Sequence, residues 1–149
     1  MDIVNDIKFI NFFPAQVVAG SLVVGTPVDI SQYGSPAVNV NVGVPGITLS
    51  AVNRFDLILE HAPDSDGVPG VWEFVPDEYL FGQESEVNSG VWASLIDNAQ
   101  GSKVYLVQYR GSNAWLRLSV EGVGTHSTGT AFAGDMALGG NFRLPVSND

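Results

Sequence analysis

Two histidines, sixteen carboxylates and no cysteine bound the chemistry available to this chain of 149 residues. Without cysteine there is no thiol nucleophile, disulfide scaffold, zinc knuckle or iron–sulfur ligand set. A serine or threonine triad would have to recruit His61 or His126. No Gly-x-Ser-x-Gly elbow occurs, and the pattern lacks the strand-to-helix turn on which that motif depends. His126 stands in the polar run Gly124-Thr125-His126-Ser127-Thr128, where a solvated imidazole is expected; His61, beside Glu60 and near Pro63, reads as a surface or strand-edge residue. Asp64-Ser65-Asp66-Gly67 has the alternate acids and the glycine that open a calcium loop. It lacks a third ligand before the glycine, and Glu73 comes too early to close the loop, so an Asp-Gly turn is the expectation. Glycoside hydrolysis needs one particular pair of carboxylates, and nothing in the sequence singles out a pair. Trp72, Trp92, Trp115, Tyr79, Tyr105 and Tyr109 could stack sugars, although aromatic residues in strands more often pack against their neighbours. The sequence therefore assigns no catalytic residue, no metal ligand and no cofactor.

The charge is unevenly placed. Residues 1–102 carry thirteen acids against Lys8 and Arg54, whereas residues 103–149 are slightly basic, and the whole chain is −10. Ten carboxylates lie between Asp56 and Asp97 with no Lys or Arg after Arg54 to offset them. That stretch reads as a solvent-facing acidic surface, the alternatives being a cation site or a docking surface for a basic partner. An excess of acid argues against nucleic-acid binding, which needs clustered Lys and Arg. No segment has the basic and apolar regions of a targeting signal, and no apolar run reaches the ~18–20 residues needed to span a bilayer. A hydrophobic share of 45% with only 15% charged residues indicates a folded chain rather than an acidic disordered one.

Elements able to position these residues have a period of two. Val38, Val40 and Val42 alternate with Asn39 and Asn41, and Phe55, Leu57 and Leu59 alternate with Arg54, Asp56, Ile58 and Glu60. Residues 103–110 and 114–121 alternate again across Gly111-Ser112-Asn113, which predicts a β-hairpin. Phe132, Met136 and Leu138 share one side of a last strand, opposite Ala131, Ala133 and Ala137. Helix is scarce, with one turn expected around Trp92–Leu95. About eight short strands separated by Gly/Pro turns predict an all-β chain forming a single β-sandwich over residues 1–149, jelly-roll or immunoglobulin-like. An apolar arm, residues 1–14, precedes the first clear strand. Its Ile3, Val4, Ile7, Phe9, Ile10, Phe12 and Phe13 must be buried somewhere, either over the end of the sandwich or on a neighbouring subunit.

The order of segments resembles a family of short proteins encoded among the head genes of tailed bacteriophages. The resemblance lies in the apolar N-terminal stretch, in Val28-Asp29-Ile30 through Gly43, and in Leu57–Gly67 followed by Val71-Trp72-Glu73-Phe74-Val75. It continues in Tyr109-Arg110-Gly111-Ser112-Asn113-Ala114-Trp115-Leu116-Arg117, the Gly122–Thr130 loop and the Ala131–Gly140 strand. The likeness implies a non-enzymatic virion structural protein, a decoration or cement protein on the capsid exterior. Its partners would be the major capsid protein and further copies of itself, as a dimer or trimer. The alternatives are a carbohydrate-binding module displayed on a virion and, more distantly, an acidic hydrolase.

Overall fold

A computed structural model describes residues 7–82 and 90–139. In chain order its strands are β1 (Ile7–Val18), β2 (Leu22–Val24), β3 (Val28–Asp29), β4 (Ala37–Val42), β5 (Arg54–Ala62), β6 (Asp64–Ser65) and β7 (Val68–Pro69). After them come β8 (Glu73–Phe74), β9 (Leu80–Phe81), β10 (Val91–Leu95), β11 (Val104–Tyr109), β12 (Trp115–Val123) and β13 (Thr130–Gly139). Helical backbone among the described residues is confined to two 3-10 turns, Asp77–Tyr79 and Asn98–Gln100. The chain is all-β, as its period-two runs require.

One antiparallel sheet has the order β1-β13-β4-β11-β9; a second has the order β10-β5-β12-β2. Strands β2 and β3 pair with successive stretches of β12, at Ser119–Glu121 and Trp115–Leu116, and so act as one interrupted strand. The inner faces of both sheets contribute to a single buried cluster. Val38, Val40, Phe132 and Met136 come from the first sheet, and Phe55, Leu57, Leu116 and Leu118 from the second. This is the arrangement expected of a β-sandwich.

Residues 7–13 correct the expectation of an arm outside the core. They form the first half of β1, paired with β13 from Ile7↔Gly139 onward. Phe12 and Phe13, consecutive residues that strict alternation would send to opposite faces, are both fully buried. Register shifts on either side of Phe13 break the alternation, as an extra residue in one strand does. Gly134, opposite Phe13, makes the space. A Cβ there would lie 2.9 Å from both Leu118 Cδ2 and Phe13 Cβ. Ile10 packs against the core, while Phe9 stays 67% exposed. Ile3 and Val4 lie outside the described residues.

Two further expectations change. Residues 103–110 and 114–121 do not form a hairpin, since β11 pairs with β4 and β9 while β12 pairs with β5. The connection between them carries the chain from one sheet to the other. Alternation cannot distinguish these cases, because both strands bury one face either way. Trp92–Leu95 lies within β10 rather than in a helical turn. The Asp-Gly turn does form. Ser65 and Val68 pair across Asp66 and Gly67, whose φ values of 54° and 84° are those of a type I′ hairpin turn. Asp64 Oδ2 accepts the Gly67 N–H at 3.1 Å.

Truncating a fully buried Phe typically costs about 3–5 kcal/mol, and an isolated exposed apolar residue within about 0.5 kcal/mol. Phe13→Ala should therefore lower the chemical-denaturation midpoint strongly, and Phe9→Ala should leave it nearly unchanged. Equal effects would return Phe13 to a peripheral arm.

Candidate functional site

The alternation that fills the core also builds an outer face on the first sheet, and the register fixes its rows. Phe9, Ala137, Ala37, Gln108 and Phe81 lie side by side across five strands. The next row is Asn11, Asp135, Asn39 and Leu106, and the third is Ala133, Asn41 and Val104. The middle of the face is thus small and polar, because the β13 and β4 positions are Ala, Asn and one Asp. Large apolar groups stand at its two sides. Phe9, Val104 and Leu106 are all more than half exposed, and Phe81 is 41% exposed. Single exposed apolar residues are ordinary; several on one flat, weakly charged face suggest contact with another surface.

The outer face of the second sheet carries more charge, beside the exposed apolar residues Leu22, Val24 and Phe74. Arg54 holds Asp56 through Nε and a terminal nitrogen at 3.0 and 3.2 Å, and Ser94 Oγ donates to the same carboxylate at 2.7 Å. Arg117 pairs with Glu60 at 2.9 Å across β12 and β5, and its guanidinium lies 4.2 Å from the centre of the Trp72 ring. Trp115 Nε1 donates to Asp64 at 3.0 Å. That bond, followed by the Gly67 N–H, draws the exposed Asp64 carboxyl below its ordinary pKa.

The expected solvent-facing stretch from Asp56 to Asp97 needs one correction. Asp56 is buried at 5% exposure, enclosed by Arg54 and Ser94. Glu60 and Asp77 are half-buried, whereas Asp64, Asp66, Glu73, Glu78 and Asp97 are exposed. Glu84 and Glu86 fall outside the described residues. Among the described residues, no group of three or more acids and histidines is placed to hold a metal ion.

Neither histidine is the solvated surface residue that its neighbours in sequence suggest. His61 is buried, with Nδ1 2.8 Å from Tyr109 Oη, so it joins β5 of one sheet to β11 of the other. Tyr109 Oη also accepts the Asn113 N–H at 3.2 Å. The Tyr109 hydroxyl thus bridges the His61 ring and the Asn113 backbone. Burial lowers the His61 pKa, opposed in part by the nearby Glu73 carboxylate. Burial also raises that of Tyr109, with the Asn113 N–H acting the other way. His126 is half-buried, its ring 4.4 Å from that of Phe55 and its Nε2 directed at the carbonyls of Val123 and Arg54. A signal for His61 existed in the sequence. It has the same parity as Phe55, Leu57 and Leu59 on that strand, so the alternation already places it on the inner face.

The six aromatic residues considered for sugar stacking do not assemble into a platform. Trp92, Tyr105 and Tyr109 are buried, Trp72 is covered on one face by Arg117, and Trp115 is tied to Asp64. Tyr109 instead lines a hollow of about 220 Å³ with Tyr33, Ile30 and Asn113. Of the five described residues among the seven apolar arm residues singled out in the sequence, only Phe9 presents a large exposed side chain on the outer face. Sequence reasoning missed Val104, Leu106 and Phe81, because alternation shows that a strand has two faces without showing which one is covered.

No protein-family model matches the chain, and no curated protein matches its sequence.

The His61 pKa is lowered in the folded state, so the unfolded chain takes up the proton more readily. Neutral His61 contributes its full stability above the unfolded value of about 6.5, and that contribution is lost as pH falls below it. In His61→Phe the thermal midpoint should drop less between about pH 7.5 and about pH 5 than in the parent chain. An equal drop would show that another group dominates the acid limb.

Proposed function

We propose that this chain is a non-enzymatic virion structural protein that binds the exterior of a phage head and bridges neighbouring copies of the major capsid protein. The outer face of the first sheet is the binding surface in this reading, and the acidic second sheet faces solvent. The observation that carries the proposal is the contrast between the two outer faces. Both faces expose apolar residues, but one is built of small and polar residues with Asp135 as the acid in its rows, and the other carries the ion pairs and carboxylates. A protein that cements a shell needs a stiff scaffold with one adhesive surface, and a surface of weak charge can be desolvated at low cost.

The strand order supports a jelly roll over an immunoglobulin-like sandwich. With β2 and β3 taken as one strand, the eight principal strands run first-eighth-third-sixth in one sheet and second-seventh-fourth-fifth in the other. Most connections then cross between sheets, as in jelly rolls, which serve in viral capsids and in lectins. The fold supports a virion role by analogy, and the outer-face contrast carries the rest.

The test is binding to purified capsids of the phage whose genome encodes the chain. Saturable binding and shells that survive a higher temperature are expected. Ala137→Arg, which places a charge in the middle of the first sheet's outer face, should weaken binding by about tenfold or more while leaving the circular-dichroism spectrum intact. Unchanged binding in that variant would remove the first sheet as the docking surface.

A further inference from the structure

We infer that the groove between β9 and β11, at one side of this face, is where the partner is recognised. Its occupant is a protein segment bearing an apolar side chain next to a carboxylate. The inference rests on the shell-binding reading and specifies its contact chemistry.

The groove has a volume of about 490 Å³ and is lined by Ala37, Phe81, Gly82, Leu106, Gln108 and Arg110. Ala37 and Gly82 keep its floor low, while Phe81 and Leu106 supply exposed apolar walls. The guanidinium of Arg110 lies 4.1 Å from the centre of the Phe81 ring, and its Nε donates to Gln108 Oε1 at 3.2 Å. These contacts hold the cation at the lip of an apolar depression.

The partnering of the arginines supplies the second observation. Arg54 pairs with Asp56 and Arg117 with Glu60. Arg110, alone among the described arginines, has no carboxylate, in a chain whose acids exceed its bases by ten. Among the described residues, no carboxylate pairs with the one arginine that borders the apolar groove. An incoming carboxylate meets here a guanidinium already oriented by Phe81 and Gln108. Arginine suits the role, because its planar fork receives a carboxylate through two parallel hydrogen bonds while its face stays stacked on an aromatic ring. An apolar side chain between Phe81 and Leu106 would exclude water from that pair and strengthen it. Complementarity of this kind selects a partner and sets its register more than it adds bulk affinity.

The full-length protein can be titrated by NMR with N-acetylphenylalanine and, separately, with N-acetylphenylalaninamide, which has the same ring without the charge. The acid should shift resonances of Phe81, Leu106 and Gln108 and bind at least fivefold more tightly than the amide. Arg110→Gln should reduce the acid to the level of the amide, and Leu106→Ser should weaken both probes. Equal binding of the two probes, no binding, or shifts centred elsewhere would overturn the inference. So would self-association seen by light scattering and lost in Arg110→Gln, which would assign the groove to a second copy of the chain. Capsid binding separates the two levels of argument. Normal binding by Arg110→Gln with loss in Ala137→Arg would overturn the groove and retain the face, whereas normal binding by both variants would overturn the face as well.

Discussion

The fold depends on a steric fit between the two ends of the chain. Phe12 and Phe13 enter the core together, and they can do so because Gly134, on the last strand, has no side chain where Phe13 and Leu118 close in on its backbone. This contact ties β1 to β13 and presses both against β12 of the opposite sheet. A segment met near the start of the sequence is thereby paired with one more than a hundred residues later. Such pairing is costly in chain entropy until the intervening strands are in place, so the first sheet is completed by its outermost strand.

Placing β1 at the margin of the first sheet also governs the surface. The parity that sends Ile10 inward and Phe9 outward continues across β13, β4 and β11, and produces a face of alanines and asparagines between two apolar margins. The second sheet directs its charged residues outward on the same principle. There cross-strand pairing brings Arg117 opposite Glu60, while Arg54 and Asp56 pair along one strand. Asp56, Glu60 and Glu121 thus belong to strands of the second sheet, whereas Asp135 stands in the rows of the first.

The strands were legible in the sequence where one face is buried and the other wet. Val38, Val40 and Val42 alternate with asparagines, and Phe132, Met136 and Leu138 with alanines, and both sets lie inside as their parity indicates. Legibility failed where a strand is covered on both faces or where pairing is non-local. β5 buries Asp56 and Ile58, on its outward parity, as well as Leu57 and Leu59, so its charged position gave a false impression of exposure. Residues 104–109 and 115–123 have the composition of a hairpin, but the intervening loop changes sheets, a fact that no local pattern records. The supposed arm failed for a different reason. Two adjacent phenylalanines can share one side only through a bulge, and the glycine that permits it lies far along the chain. The candidate face was half visible, since the alternation of Val104 and Leu106 with Tyr105 and Val107 was plain while the choice of inner face was not.

One consequence follows from the pairing of Ile7 with Gly139. Directly opposed residues in antiparallel strands lie about 5 Å apart. Whatever precedes residue 7 and whatever follows residue 139 therefore depart from a single corner of the molecule, at the same margin as Phe9. A tether attached at either end would pull on the same two strands, and load entering there would act on their hydrogen bonds without first passing through the second sheet.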